Sequence, residues 1–337
     1  MAIDNSDRIF VTGSEGFIGS HLTEALVRKG AKVKALVLYN SFSSIGWLQD
    51  LPSEIKREIE IVFGDVRDPS CMQQYMKGCN KVFHLAALIG IPYSYVAPDS
   101  YVDVNIKGTL NILQAARNLD VEKVVHTSTS EVYGSAQFVP ISEQHPLVGQ
   151  SPYAATKIGA DHLALSFYRS FQTPVAIARP FNTYGPRQST RAVIPTIITQ
   201  VLSGQGAISL GSTYTTRDFN FCLDTAAGLM AVMESAATLG EEVNIGTGFE
   251  IAVADVVKIV SELVGVEVAV KEDANRLRPA LSEVERLCAD NTKITKLTDW
   301  RPQFSEINGI REGLKRTIEW FKVPENIAKY EVGAYAI

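Results

Sequence analysis

Short apolar runs alternate with amphipathic segments through the first half of the chain. The runs lie at residues 8–12, 31–38, 59–63, 81–85 and 121–126. Each run has the length and composition of a buried strand, whereas segment 103–118 repeats its apolar residues with helical spacing. Its predicted buried positions are Ile106, Leu110, Ile112, Leu113 and Ala116. The unbroken alternation predicts the α/β class, with a Rossmann-type parallel sheet doubly wound by helices.

The alternation breaks after a further strand at 174–178, and Pro, Gly and Thr then become more frequent. Other predicted elements are helices at 151–171, 194–203, 224–237, 253–264 and 307–321, and strands at 207–210 and 242–245. We interpret residues 1–180 as a Rossmann domain to which segments of 181–330 return. Residues 181–337 form mainly a smaller C-terminal α/β lobe that binds the substrate.

The composition argues against nucleic-acid binding, metal binding, secretion and membrane insertion. The chain has 337 residues and a net charge of -5, which gives no basic surface for nucleic acid. Its four cysteines are scattered without CxxC spacing, so neither a disulfide framework nor a metal site is predicted, and a reducing cytoplasm is expected. Asp4 and Asp7 precede the first apolar run, which argues against a signal peptide, and no apolar stretch could span a membrane.

The first strand runs into a glycine-rich turn that opens a helix ending near Lys29. Gly13, Gly16 and Gly19 have the GxxGxxG spacing that allows a tight turn, close approach of a pyrophosphate, and close helix–strand packing. Phe17 and Ile18 lie at the helix N-terminus, which attracts an anion. A glycine motif alone could be a plain loop, but the flanking strand and helix favour dinucleotide binding.

The ends of the next strands should contact the same cofactor. The residue that binds the adenosine ribose is expected near Tyr39 and Asn40, where the chain has neither a carboxylate nor an arginine, so NAD and NADP both stay open. Asp65 could accept from the adenine amino group, or could cap the helix that begins near Pro69. Val66, and Leu85, Ala86 and Ala87 after the fourth strand, complete the predicted cofactor contacts.

A polar stretch, Thr127-Ser128-Thr129-Ser130-Glu131-Val132-Tyr133-Gly134, follows the fifth strand. It could be an ordinary Ser/Thr-rich capping turn, but it lies at the edge of the sheet where ligands bind. Tyr153 and Lys157 are four residues apart and share a helix face. A Lys ammonium and a cationic nicotinamide ring would lower the tyrosine pKa, so Tyr153 is a candidate acid/base assisted by Thr129. The alternative is a half-exposed tyrosine beside a solvated lysine.

The series GSEGFIGSHL, GDVRD, HLAAL, TSTSEVYG, YAATK, RPFNTYGPR and RDFNF resembles the extended short-chain dehydrogenase/reductase family, over nearly the whole chain. Within that family the chain is most similar to nucleotide-sugar 4,6-dehydratases. It resembles especially those that act on nucleotide-linked N-acetylglucosamine in the synthesis of bacterial surface sugars such as legionaminic acid.

This resemblance implies a redox-neutral reaction that returns its tightly bound NAD or NADP unchanged, with NAD slightly favoured. Tyr153 would take the proton of the sugar C4 hydroxyl as hydride leaves C4, and Glu131 would take the C5 proton. Water would leave from C6, and the hydride would return to C6. Lys157 would also bond the nicotinamide ribose, and Thr129 would orient the C4 oxygen.

Ser130 departs from the pattern of dTDP-glucose dehydratases, which have an Asp there to protonate the leaving hydroxyl. Either Glu131 passes on its proton, or a water held by Ser130 relays it. The Ser-Glu pair also occurs in UDP-glucuronate decarboxylases, and a C4-epimerase would use the same Tyr and Lys. A non-catalytic NAD(P) sensor or scaffold is the alternative from another class. Such proteins can lose the Tyr or Lys, and the presence of both here weighs against this alternative.

The resemblance also predicts contacts with the nucleotide sugar and a partner. Asn182 and Arg217 match positions that hold the diphosphate, Arg278 matches one near the phosphate or ribose, and Arg191 is a weaker candidate. The family commonly forms homodimers through two helices per subunit, here those near 103–118 and 152–170.

Overall fold

The structure is a computed structural model that describes residues 2–204, 206–273, 276 and 284–330. Its strands are β1 (Arg8–Thr12), β2 (Lys32–Leu38), β3 (Ile59–Gly64), β4 (Lys81–His84), β5 (Lys123–Thr127), β6 (Val175–Pro180), β7 (Asn182–Tyr184), β8 (Ala207–Leu210), β9 (Thr216–Arg217), β10 (Phe219–Phe221), β11 (Glu242–Ile245), β12 (Ile251–Ala252), β13 (Ala269–Glu272) and β14 (Arg286–Leu287).

The helices are α1 (Phe17–Arg28), α2 (Ser53–Lys56), α3 (Pro69–Tyr75), α4 (Ile91–Val96), α5 (Pro98–Tyr101), α6 (Gly108–Asn118), α7 (Pro152–Phe171), α8 (Val193–Leu202), α9 (Cys222–Glu234), α10 (Val253–Val264), α11 (Thr292–Leu297), α12 (Glu306–Phe321) and α13 (Pro324–Ile327). Short 3₁₀ turns occur at Gly46–Asp50, Ser130–Tyr133 and Ala236–Thr238. Within the described ranges, no helix is long and apolar enough to cross a membrane.

Seven strands of the described chain form one parallel sheet in the order β3-β2-β1-β4-β5-β6-β11. The first six follow the Rossmann order, in which the winding direction reverses between β1 and β4. The predicted α/β fold is therefore confirmed. Ligands bind such sheets at the carboxyl ends of the strands beside this reversal. The glycine turn follows β1 and the polar stretch follows β5, so both lie at this edge of the sheet.

The two faces of the sheet carry separate cores because successive strand residues point to opposite sides. Ile9 and Val11 of β1 belong to a core with α1 and α9, whereas Phe10 belongs to one with α3, α6 and α7. Burying a side chain of this size stabilises the fold by about 1.5–3 kcal/mol. Since α9 and β11 complete the first core, the chain after β6 returns to the sheet.

A third core lies in the C-terminal half, where α8, α10 and α12 pack with β8 and β10. Beside it, Trp47 contacts Trp320 and Tyr330, with ring centroids 5.6 Å and 6.0 Å apart. Lys329 Nζ lies 5.3 Å from the Trp47 ring centre and 2.6 Å from an Asp50 carboxylate oxygen. We call these three aromatic residues the aromatic clasp; they join the C-terminal helices to the segment after β2.

The helix predicted at 103–118 is divided in the structure. A π-helical segment, Val102–Lys107, separates α5 from α6. A π-turn adds a residue to the turn and shifts the residues that face the core away from the α-helical spacing. Ile106 and Leu110 are only half-buried, so they are less buried than predicted, although Leu110 still packs against the core of α3, α6 and α7. Ile112, Leu113 and Ala116 are buried as predicted.

Candidate active site

The glycine turn after β1 is shaped so that only glycine fits. Gly13 has φ +66°, and a Cβ there would lie 2.8 Å from the Ala86 amide nitrogen. At Gly19 a Cβ would meet the Gly13 carbonyl oxygen at 2.0 Å, while Gly16 is the N-cap of α1 and supplies no side-chain cap. An uncapped helix N-terminus behind a bare backbone turn is suited to the pyrophosphate of a dinucleotide.

The polar stretch after β5 turns sharply at Thr129. The Thr129 side chain accepts from the Glu131 amide at 3.2 Å and caps the 3₁₀ turn that carries Ser130 and Glu131. A second hydrogen bond joins Thr129 to the phenol of Tyr153, the second residue of α7. The structure therefore brings Thr129, Glu131 and Tyr153 together, and the capping role and the site role are compatible.

Tyr153 and Lys157 are both buried, at 7% and 3% exposure, so the alternative of a half-exposed pair is wrong. Burial raises the pKa of Tyr153 above its ordinary value; the Thr129 bond opposes this and the Glu131 carboxylate adds to it. The predicted lowering is thus wrong for the protein alone, because desolvation outweighs any help from Lys157. A cationic ring beside the phenol would act in the opposite direction.

Lys157 lies against the end of β5. Its Nζ donates to the Thr127 carbonyl at 2.8 Å. Burial lowers the pKa of Lys157 to about 8, although the Asp161 carboxylate opposes this change. The Lys157 ammonium is therefore lost at a lower pH than that of an exposed lysine.

Asp161, one helical turn beyond Lys157, is the centre of a buried charge network that sequence reasoning missed. Its Oδ2 accepts from Arg179 Nη2 at 3.0 Å, Arg179 Nε at 3.1 Å and Ser128 Oγ at 2.9 Å. His126 Nε2 lies 3.3 Å from its other oxygen. Burial alone would raise the pKa of Asp161, but His126 and the Arg179 and Lys157 cations hold it below its usual value. The network fixes α7 against β5 and β6.

Two residues that were not predicted, Tyr101 and Asn105, contact α7 and help to position the site. Tyr101 packs edge-on against Tyr153, with ring centroids 6.3 Å apart. Asn105, in the π-helical segment, donates to Leu88 O at 3.0 Å and to Thr156 Oγ1 at 3.1 Å. It also accepts from the Leu88 amide. Together these contacts fasten the segment after β4 to α7.

Tyr39, Asn40 and Asp65, the predicted adenosine contacts, differ in exposure and in their partners. Tyr39 is 74% exposed at the end of β2, and Asn40 folds its own loop, accepting from the amides of Phe42 and Ser44. Asp65 pairs with Arg67 at 2.6 Å. The helix cap suggested for Asp65 belongs instead to Asp68, which accepts from two amides of the first turn of α3, so that expectation is wrong.

The remaining cofactor candidates lie at the carboxyl edge of the sheet. Val66 is buried, and its carbonyl accepts from Asn111 at 2.9 Å. The amides of Leu85 and Ala86 donate to Thr12 Oγ1, which holds the end of β4 against the glycine turn. Phe17 and Ile18 form the first turn of α1, and Ala87 follows Ala86 in this edge.

The predicted substrate residues lie on different elements. Asn182 begins β7, and its Oδ1 is buried with no partner among the residues the structure describes. Arg217 in β9 is 7% exposed and donates to the carbonyls of Thr216 and Glu285. Arg191 is exposed, and its charge acts on the pKa of Tyr101, which places it near the site. Arg278 lies outside the described residues.

The chain is similar to known proteins over nearly its whole length. The family model of GDP-mannose 4,6-dehydratase matches residues 10–313. A dTDP-glucose 4,6-dehydratase of Actinoplanes sp. is 31% identical, with 94% of this chain and 98% of the relative covered. A UDP-glucose 4-epimerase of Mycolicibacterium smegmatis is 32% identical, with 94% and 98% covered. The crystal structure of the dTDP-glucose 4,6-dehydratase DesIV of Streptomyces venezuelae, with NAD bound, has a TM-score of 0.85, 30% identity, and 96% and 99% coverage.

Proposed function

The chain belongs to the GDP-mannose 4,6-dehydratase family, and we propose that it is an NAD-dependent nucleotide-sugar 4,6-dehydratase. This family lies within the extended short-chain dehydrogenases/reductases, whose members include nucleotide-sugar dehydratases and epimerases. The proposed substrate is a nucleotide-linked N-acetylglucosamine, and the product is its 4-keto-6-deoxy derivative. The observation that carries the proposal is the Glu131 carboxylate, which lies close enough to the Tyr153 phenol to raise its pKa. A dehydratase needs such a base beside the acid/base tyrosine, and an epimerase does not.

The cofactor fits the residues at the carboxyl edge of the sheet. Gly13, Gly16 and Gly19 leave a bare backbone turn for the pyrophosphate. Lys157, whose Nζ donates to the Thr127 carbonyl at the end of β5, would bond the nicotinamide ribose. The chemistry that bound NAD supplies is reversible hydride transfer, out of C4 and back to C6. We propose that the NAD is tightly bound, since it ends the cycle in the form in which it began.

The protein side chains handle the protons. Tyr153, as phenolate, takes the proton of the C4 hydroxyl, and Thr129, bonded to the same phenol, orients the C4 oxygen. Once C4 is a ketone, the hydrogen on C5 becomes acidic and Glu131 removes it. Water then leaves from C6. Glu131 passes the proton that it took from C5 to the leaving oxygen, either directly or through a water held at the buried Ser130.

The second half of the chain would hold the nucleotide diphosphate. Arg217, buried and fixed by two carbonyls, is the first candidate because a guanidinium donates to phosphate oxygens in parallel. Asn182, with its unpartnered buried oxygen among the described residues, is suited to a sugar or phosphate contact. Arg191 and Arg278 are proposed as further contacts.

Assembly and pathway are part of the same proposal. We propose a homodimer that packs through α6 and α7. Synthesis of a bacterial surface sugar in the cytoplasm is the corresponding biological setting.

Mass spectrometry tests the reaction and the nucleotide together. Purified protein with NAD is incubated in parallel with UDP-GlcNAc, GDP-GlcNAc, dTDP-glucose and UDP-glucuronate. One GlcNAc nucleotide should give a product lighter by one water. If every nucleotide hexose is recovered with unchanged mass, the dehydratase proposal fails, and release of carbon dioxide from the uronate would identify a decarboxylase instead.

C4 epimerisation is the second candidate, favoured by the epimerase relative and by Ser130 in place of an acid. Glu131→Gln separates the two reactions, since it should abolish dehydration and largely spare epimerisation. Glu122→Gln, the same change on an exposed residue before β5, is the matched control and should leave turnover intact.

A further inference from the structure

The end of β2 lacks the acid that usually accepts from the adenosine ribose. Leu38, Tyr39 and Asn40 occupy this position, and none of them carries a carboxylate. The Asn40 side chain is already committed, since its Nδ2 donates to the carbonyls of Leu38 and Ser44 while its Oδ1 accepts two amides. Neither group of Asn40 is directed to a ligand.

A carboxylate nevertheless reaches this position from the glycine turn. Glu15, the residue before Gly16, extends across to β2, where its Oε1 accepts from the Leu38 amide at 2.9 Å. Its Oε2 is shielded from solvent and has no hydrogen-bond partner in the part of the chain that the structure describes. Burial raises the pKa of Glu15, against the effect of hydrogen bonds from the Leu38 amide and from its own backbone amide. Half of a buried carboxylate is thus left without a donor, which is costly unless a ligand supplies one.

The position of Glu15 is fixed by its backbone as well. The Trp47 amide donates to the Glu15 carbonyl at 3.0 Å. Gly46 lies so close that a Cβ there would be 2.6 Å from the same oxygen. Trp47 belongs to the aromatic clasp and contacts Trp320 and Tyr330. Glu15 is therefore held between β2, the 3₁₀ turn at Gly46–Asp50 and the C-terminal segment.

We propose that Glu15 is the specificity residue of the dinucleotide site: its carboxylate accepts from a hydroxyl of the adenosine ribose and excludes the 2'-phosphate of NADP. A carboxylate can only accept hydrogen bonds, so a ribose hydroxyl supplies the missing donor. A 2'-phosphate would instead bring like charge against a carboxylate in a desolvated place. The inference rests on the dinucleotide site of the proposed function, and it resolves the choice between NAD and NADP that residues 38–40 leave open.

The test measures bound nucleotide and needs no turnover. Wild-type protein, Glu15→Gln and the control Glu54→Gln, an exposed residue of α2, are each equilibrated with an equimolar excess of NADH and NADPH. Free nucleotide is removed, the protein is denatured, and the released nucleotides are quantified by chromatography. Wild type and Glu54→Gln should hold almost only NADH. Glu15→Gln should shift the ratio toward NADPH by roughly ten- to hundredfold, the range expected for a hydrogen bond to a charged group.

A second variant separates specificity from folding. Glu15→Gln keeps an acceptor for the Leu38 amide, so thermal melting should match the wild type. Glu15→Asp keeps the charge with a shorter reach, and should bind NADH more weakly while still rejecting NADPH. An unchanged ratio in Glu15→Gln, or equal binding of the two nucleotides by the wild type, overturns the proposal.

The two assays distinguish failure of the proposed dehydratase reaction from failure of the proposed role of Glu15. If the ratio depends on Glu15 but no nucleotide sugar is dehydrated, the inference stands and the proposed reaction falls. If dehydration proceeds while the ratio ignores Glu15, the inference alone falls. If the wild type binds neither dinucleotide, both fall.

Discussion

Replacing Asp161 by Asn should destabilise the protein and also shift the pH dependence of its reaction. Asp161 and Arg179 are each 1% exposed, and their contact includes two hydrogen bonds of 3.0 Å and 3.1 Å. Asn keeps the shape and one acceptor but removes the charge, so Arg179 is left with Glu242 at 3.7 Å as its nearest remaining carboxylate. Breaking a buried ion pair by removing one partner costs about 3–5 kcal/mol.

Thermal unfolding measures this loss. For a chain of this length we expect Tm to fall by roughly 2 °C per kcal/mol, or about 6 °C or more. The double variant Asp161→Leu, Arg179→Met removes both charges and should recover much of the loss, because an apolar pair can replace a buried ion pair. Glu312→Gln, which removes an exposed ion pair with Arg316, is the control and should leave Tm unchanged.

The same substitution should act on Lys157. The Asp161 carboxylate raises a pKa that burial has lowered to about 8, so its removal should lower that pKa further. The ammonium form of Lys157 would then be lost at a lower pH, and the alkaline limb of the kcat profile should move to lower pH. A Tm within 1 °C of the wild type together with an unshifted alkaline limb would refute the reasoning.

Three other predictions concern the polar turn, the glycine turn and α3. Ser130→Ala should slow dehydration less than tenfold in the mass-spectrometric assay, because a serine hydroxyl is too weak an acid; a hundredfold loss would favour a serine-held water. Gly19→Ala should abolish bound NAD(H) in the released-nucleotide assay, whereas Gly16→Ala, whose Cβ would meet its nearest atom at 3.3 Å, should retain part of it; equal retention would contradict the steric argument. Asp68→Ala should lose about 1 kcal/mol of stability as a helix N-cap, and more than Asp65→Ala; the reverse order of Tm would show that Asp65 is the cap.

The sequence predicted the elements whose signals are local. The buried strands from β1 to β6 read as apolar runs between turns, and the glycine spacing and the Tyr153–Lys157 spacing each lie within one element. Strands such as β9, β12 and β14 have two residues each, which is too short for any periodicity to register.

The parts of the site that were missed depend on tertiary contacts. Asp161 continues the four-residue spacing of Tyr153 and Lys157, but its partner Arg179 comes from β6 and becomes its neighbour only in the folded sheet. Glu15 was visible inside the glycine motif, yet its contact with Leu38 depends on how the turn meets β2. For the protein without a cofactor, the pKa of Tyr153 is raised and not lowered, because a sequence shows the nearby lysine but not the burial of the phenol.

The aromatic clasp connects the last described helices to the glycine turn, so we expect the residence time of a bound dinucleotide to depend on those helices. Trp320 and Tyr330 hold Trp47, and the Trp47 amide holds the Glu15 carbonyl inside the glycine turn. Local unfolding of α13 and of the glycine turn would therefore be linked. A dinucleotide that binds only the folded form would stabilise both segments. We expect NADH to slow proteolysis near Lys322 and Lys329, far along the chain from the residues proposed to contact the nucleotide.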